Sequence, residues 1–215
     1  MSPTTNRRSA KSPSRLPAVE RRERILTACA GVFAEHGFAG TRTRDLAEAC
    51  GVSEAILYRH FRGKEALFEA VLEREIGRFD IPAFLAELAP VSGDEAVFRA
   101  IALRMLEIGT ENPTVHRLLV ATTLSSSPRV RGLYVTWRRP FVEFLEERVR
   151  RGIERGEMRA VDPTLTARAF VGLVMDCVLS CHLWSTIGFA QPTSQALVDN
   201  NVPTFVRGLR ADPEG

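Results

Sequence analysis

The sequence predicts an all-α protein, and three observations carry that prediction. Apolar residues recur at helical spacing through nearly the whole chain, while the alternating pattern of a half-buried strand does not develop. Hydroxyl and carboxylate residues stand where helix N-caps are needed, at Thr41, Ser53, Ser92 and Asp162. Glycine and proline punctuate the pattern between those segments. Within the fold class the organisation is a basic tail over 1–18, a three-helix unit over 19–65, and a larger helical domain over 66–215 entered through a connecting helix.

The chain opens with "MSPTTNRRSAKSPSRLP", which has too little apolar surface to offset its own ordering entropy. It reads either as a basic arm lying along a minor groove or as a disordered leader. From Val19 a helix is predicted, with Ile25, Leu26, Cys29, Val32 and Phe33 on one stripe and Glu20 to Arg24 away from it, closed by Gly37. The stretch Thr41 to Lys64, "TRTRDLAEACGVSEAILYRHFRGK", then reads as two short helices around a tight turn. Leu46, Cys50, Val52, Ile56, Leu57 and Phe61 form the apolar set on both sides of Gly51, which supplies the positive φ of a sharp reversal. Thr41 is expected to cap the first helix and Ser53 the second. With the apolar positions buried, Glu54, Ala55, Tyr58 and Arg59 face outward, flanked by Arg42, Arg44 and Lys64. Such a surface suits a phosphate-lined groove.

"GKEALFEAVLEREIGRF" continues as the connecting helix, with Leu67, Phe68, Val71, Leu72 and Ile76 on its apolar side. "SGDE" over 92–95 has capping-box spacing ahead of Val97, Phe98, Ile101, Leu103, Met105 and Leu106. Asn112-Pro113 and "SSSP" at 125–128 mark two further breaks. A long helix follows from Pro128 to Arg155, with a kink expected at Pro140, where the missing N–H leaves the Thr136 carbonyl without its helical partner. Asp162-Pro163 launches a helix to Trp184 that is apolar around most of its circumference, so it is either central in a domain or pressed against another subunit. The last helical pattern lies between about 193 and 209, with a bend possible at Pro203.

The run "GVSEAILYRHF", followed by Lys64 and Glu65 and preceded by a helix ending at Gly37-Phe38, resembles the DNA-binding domain of the TetR family of bacterial transcriptional regulators. The resemblance covers roughly residues 20 to 70 and implies a ligand-responsive regulator, a repressor in the first instance, that binds a palindromic operator in double-stranded DNA. It also implies a homodimer through the helices near 162–184 and 193–209, and a small-molecule effector held in the larger domain. Ile56 and Thr43 depart from the common family pattern, so no relative's operator carries over.

The candidate DNA contacts follow from side-chain chemistry. Arg44 can reach guanine O6 and N7, Glu54 can accept from cytosine N4, and Ala55 can meet a thymine methyl. Arg59 suits a base or a phosphate, while Thr41, Arg42, Thr43, Tyr58, His60 and Lys64 suit the backbone, with Ser53 at the turn. His60 reads equally as a residue packed between helices. For the effector, Met105, His116, Trp137, Phe141 and Met175 are the candidate lining. With few charges among them the ligand would be hydrophobic or aromatic, although Phe98, Phe144, Phe170, Trp184 and these same residues read equally as core.

Composition narrows the remaining classes. The 215 residues carry a net charge of +3, with Arg and Lys crowded into the first quarter. Four cysteines without paired spacing, no signal peptide, and no apolar run near the roughly 20 residues of a membrane span point to the cytoplasm. No Gly-rich phosphate loop, nucleophile elbow or zinc-type cluster is present, so neither an enzyme nor a metal or other cofactor is expected. Cys177 and Cys181 share a helical face and read as small-residue packing, with a thiol or metal sensor as the other reading. A sensor acting through protein partners, an activator on the same fold, and an enzyme with a cryptic site are the alternative functions.

Overall fold

Ten α-helices make up the described chain, which in this computed structural model comprises residues 17–182 and 192–211. Residues 1–16 of the basic tail expected over 1–18, and Trp184, lie outside the described residues. α1 (Ala18–Gly40), α2 (Thr43–Cys50) and α3 (Glu54–His60) form the N-terminal unit, and α4 (Lys64–Ile76) leaves it. α5 (Ile81–Leu88), α6 (Asp94–Glu111), α7 (Pro113–Thr123), α8 (Pro128–Glu154), α9 (Pro163–His182) and α10 (Ser194–Arg207) build the larger domain.

The local signals are mostly read by the chain as expected. Ser53 Oγ accepts from the Ile56 N–H at 3.4 Å, and Gly51 sits at φ 63° as the left-handed end of α2. Asn112, Ser127, Asp162 and Thr193 cap α7, α8, α9 and α10, the first three ahead of a proline in the opening turn. Gly37, at φ 67°, breaks the helical path of α1, but one further turn carries that helix to Gly40.

Two capping expectations are corrected, and one helix was not foreseen. Thr41 does not cap α2: its hydroxyl turns back to donate to the Gly37 carbonyl at 2.6 Å, and the N-cap position falls to Arg42, whose N–H is accepted by Asp45 Oδ2 at 3.1 Å. Ser92 does not cap α6, because the helix starts one residue later behind Gly93, and Asp94 instead receives the Arg148 Nε–H at 2.7 Å. α8 is one helix from Pro128 to Glu154, with Pro140 inside it. α5 is a helix without a sequence-level expectation; its signal was Asp80, which accepts from the Ala83 N–H at 3.0 Å, with Pro82 in the first turn.

The N-terminal unit closes around Phe33, Phe38 and Phe68, with Phe33 and Phe38 edge-on to the Phe68 ring at 4.9 and 5.3 Å. α1 also packs on α7, where Ala121 lies against Gly37. In the larger domain, α9 lies between α8 and α6, and Phe170 meets Phe98 at 4.7 Å and Phe205 at 5.1 Å. At 20 residues α9 is long and apolar enough to cross a membrane by length and composition, contrary to expectation. Its place is nevertheless inside the domain: Ala167, Phe170, Val171, Val174, Met175, Cys177 and Val178 are buried, while Arg168 and Asp176 stand on the outer side.

Candidate functional site

α2 and α3 meet at their exposed ends through the Thr43 and Tyr58 hydroxyls, 3.1 Å apart. Leu46 and Leu57 anchor the two helices from beneath, with Phe61 following at the end of α3. Their outer surface is formed by Arg42, Arg44, Ser53, Glu54, Ala55, Tyr58 and Arg59, all exposed, with Thr43 and His60 half-buried at its margins. Tyr58 keeps 49% of its surface accessible, a large value for an aromatic ring on a small domain.

Four exposed arginines gather on this surface. Arg42, Arg44, Arg59 and the exposed Arg62 make no ion pair among the described residues. In the larger domain Arg99, Arg104, Arg129, Arg148, Arg150, Arg151 and Arg155 each meet a carboxylate, while Arg117, Arg131, Arg138, Arg139, Arg159, Arg168, Arg207 and Arg210 meet none among the described residues. Cations without internal partners, gathered around a projecting helix, are suited to neutralise an external polyanion. Arg62 was not singled out from the sequence, although its place between two motif residues was the available signal.

Two of the expected contacts have other work. Thr41 is 1% exposed and its hydroxyl is engaged, so it shapes the α1–α2 junction instead of facing a phosphate. Lys64 donates to the carbonyls of Phe38 at 2.8 Å and Thr41 at 2.9 Å, and its ammonium stands 4.5 Å from the centre of the Phe38 ring. It ties the start of α4 to the end of α1 and thereby sets the platform on which α2 and α3 stand.

Three of the five effector candidates, His116, Trp137 and Phe141, lie against one another. Met105, His116, Trp137, Phe141 and Met175 are all buried, with the His116 ring 5.9 Å from Trp137 and Trp137 5.9 Å from Phe141. His182, not among the effector candidates, stacks on His116 at 6.4 Å. Among the described residues, neither nitrogen of His116, nor Nε2 of His182, has a hydrogen-bond partner. Burial, assisted by His182, lowers the His116 pKa to about 4, so the ring is neutral at physiological pH. Gly109 makes the pair possible, since a Cβ there would stand 2.7 Å from His182 Nε2 and 3.3 Å from His116 Nδ1. A cleft of about 750 Å³ lies at the other end of α8, and its Arg148, Arg151 and Arg155 are matched by Asp94, Glu147 and Glu157.

Between interface and core runs a buried polar link that sequence reasoning missed. Glu75, near the end of α4 and 3% exposed, accepts from the Asn112 amide at 2.6 Å at the α6–α7 junction. It is also paired with Arg74 and, at 3.3 Å, with Arg78. Asn112 in turn caps α7, the helix that carries His116.

A projecting two-helix face with unpartnered cations, mounted on a helical domain, defines a helix-turn-helix DNA-binding regulator. Residues 25–71 match the family of bacterial regulatory proteins called the tetR family, and residues 93–179 match a tetracyclin repressor-like C-terminal domain. The chain belongs to the TetR family of transcriptional regulators, which act through DNA binding and not through catalysis. Among curated relatives, the transcriptional repressor AcnR of Corynebacterium glutamicum is 29% identical over 160 residues, covering 74% of this chain and 80% of AcnR. Among solved structures, AibR in complex with isovaleryl coenzyme A and operator DNA has a TM-score of 0.65 at 24% identity, over 86% of this chain and 97% of AibR. NalD, the secondary repressor of the MexAB-OprM efflux pump in Pseudomonas aeruginosa, has a TM-score of 0.72 at 20% identity, over 91% and 100%.

Proposed function

We propose that this regulator is a cytoplasmic, ligand-responsive repressor that binds a palindromic operator as a homodimer. The observation that carries the proposal is the outward face of α2 and α3, where Arg42, Arg44 and Arg59 lack internal partners while Thr43 and Tyr58 hold the two helices in register. In this reading Arg44, Glu54 and Ala55 read base edges, and Arg42, Thr43, Tyr58, Arg59, His60 and Arg62 hold the backbone. Ser53 serves as the cap that fixes the start of α3. The division between DNA-binding and regulatory parts falls near residue 65, at the start of α4.

Dimerisation is supported by the outer side of α9, where Leu165 is 62% exposed and Ala169, Gly172 and Leu173 continue the same face. Two-fold symmetry would set the recognition helices about 34–36 Å apart, in successive major grooves. The effector is a hydrophobic or aromatic small molecule that inserts beside Trp137 and Phe141, oriented by the unpartnered nitrogens of His116. Insertion would shift α7, and with it Asn112 and Ala121, which bear on α4 through Glu75 and on α1 at Gly37. The repressor then populates a spacing that no longer fits its operator, by an amount equal to the ligand's differential affinity for the two states.

Selection of bound sequences from a random DNA pool tests the proposal. Recovery of an inverted repeat, bound with an affinity that falls steeply with salt, is the expected result. Enrichment of no sequence at low salt would sink it.

A further inference from the structure

Cys29 on α1 and Cys50 at the last position of α2 are free thiols whose sulfurs lie 3.4 Å apart. Cys29 is fully buried and Cys50 half-buried. Cys50 Sγ also lies 3.7 Å from the Ile25 carbonyl. With the Cys50 S–H donating to that oxygen, the Cys29 S–H is left to donate to the Cys50 sulfur. The same arrangement pulls the Cys50 thiol below its ordinary pKa, because the hydrogen bond from Cys29 favours its thiolate, while that bond and burial push Cys29 upward. The accessible member of the pair is thus the better nucleophile, and the buried member is positioned behind it.

We propose that Cys29 and Cys50 form a reversible dithiol–disulfide pair that takes hydroperoxides as oxidant and weakens operator binding when it closes. The Cys50 thiolate attacks the terminal oxygen of the hydroperoxide, the O–O bond breaks, and the alcohol leaves with a proton, so that Cys50 becomes a sulfenic acid. The Cys29 sulfur then attacks Cys50 Sγ, the S–O bond breaks, and the oxygen departs as water carrying the Cys29 proton. Two thiols have lost two electrons and two protons, and the hydroperoxide has been reduced to alcohol and water. Thiol reductants of the cytoplasm return the pair to its starting state by exchange.

The consequence for DNA follows from position. A disulfide is about 2.05 Å long, so the sulfurs must close by about 1.4 Å from their 3.4 Å separation. Cys29 is embedded with Leu26, Ala30 and Phe33 in a close-packed core, so the end of α2 yields more readily than α1. Cys50 directly precedes the Gly51 turn and α3 begins at Glu54, so the displacement reaches the face that carries Glu54, Ala55 and Arg59.

The experiment uses the full chain with Cys177→Ser and Cys181→Ser, which leaves only the proposed pair, and tert-butyl hydroperoxide as oxidant. Intact mass should fall by two hydrogens, and peptide mapping should join Cys29 to Cys50. Fluorescence anisotropy on a selected inverted-repeat duplex should show affinity lower by about tenfold or more, restored by dithiothreitol. Adding Cys50→Ala, a change at a half-buried position, should abolish the crosslink and the peroxide response while reduced-state affinity is kept. Adding Cys29→Ala should instead leave a dimedone-reactive sulfenic acid at Cys50. Absence of the Cys29–Cys50 bond after peroxide, or its formation with affinity unchanged, overturns the proposal. Failure of the fully reduced chain to bind any duplex strikes the operator reading itself, and the thiol chemistry is then judged on the mass change alone.

Discussion

His116 is held neutral in a site that gives its ring nitrogens no partner. The unfolded chain takes up this proton near pH 6.5 and the folded chain near 4, so between those values the unfolded state binds more protons and stability falls as pH drops. The contribution is fully present above 6.5 and is lost progressively toward 4; at about 1.4 kcal/mol per pH unit the fall amounts to about 3 kcal/mol. Urea titrations of the wild type and His116→Gln from neutral pH down to about 4 check this: the wild type's advantage over the variant should shrink by about that amount. A constant difference would show that folding leaves the His116 pKa where it is in the unfolded chain. At the interface, Arg44→Ala should cost about 1–3 kcal/mol of operator binding and relax preference at one base pair per half-site, measured by anisotropy against single-base variants of the operator. Arg42→Ala and Arg59→Ala belong to another class, in which all sequences weaken together and the log–log salt slope becomes shallower by about 0.9 for each phosphate contact removed.

At the level of the helices, α4 is fastened at both ends by groups drawn from far along the chain. Lys64→Ala removes two charged hydrogen bonds and the ammonium–Phe38 contact, and should lower stability by about 2 kcal/mol. Its operator affinity should fall through a loosened α1–α2 junction, so the salt slope should stay unchanged where that of a true phosphate contact would drop. A thermal melt paired with the salt series separates the two roles. At the other end, Glu75→Ala leaves the Asn112 amide without its acceptor in a largely buried place and removes one of the two carboxylates that Arg74 meets, at about 2–3 kcal/mol in denaturant unfolding. Because this contact joins α4 to the α6–α7 junction, the same variant should keep its operator and lose most of its response to effector.

For the whole molecule, the test is which side of α9 meets a second subunit. Val174 is 2% exposed and belongs to the core of its own chain, so a charge there should unfold the domain. Leu173, one position away, lies on the half-exposed outer side beside Ala169 and Gly172. Leu173→Glu should therefore leave the circular-dichroism melt nearly intact and shift sedimentation from dimer to monomer at micromolar concentration. Coincident loss of folding and assembly in Leu173→Glu would place that residue in the monomer core instead.

Much of this protein was determined by the sequence alone, because the decisive signals are local. Helical periodicity, the Ser53 cap, the left-handed Gly51 and the prolines opening α7, α8 and α9 each act within a few residues, and the family resemblance sits in one contiguous run. The burial of Met105, Trp137, Phe141 and Met175 was also legible, since all are large apolar or aromatic residues on inward faces. Only the tertiary structure decided which of two available partners a polar group takes. Thr41 had a cap position within reach and bonded Gly37 instead; Lys64, drawn as a phosphate ligand, closes on carbonyls 26 and 23 residues away. The Cys29–Cys50 contact and the Glu75–Asn112 bond, spanning 21 and 37 residues, leave no trace in local pattern because they depend on how whole helices cross. The same limit hid the orientation of α9: a helix apolar on nearly every side has no amphipathic stripe to point inward, and packing against α6 and α8 alone chose Val174 for the core and left Leu173 at the surface.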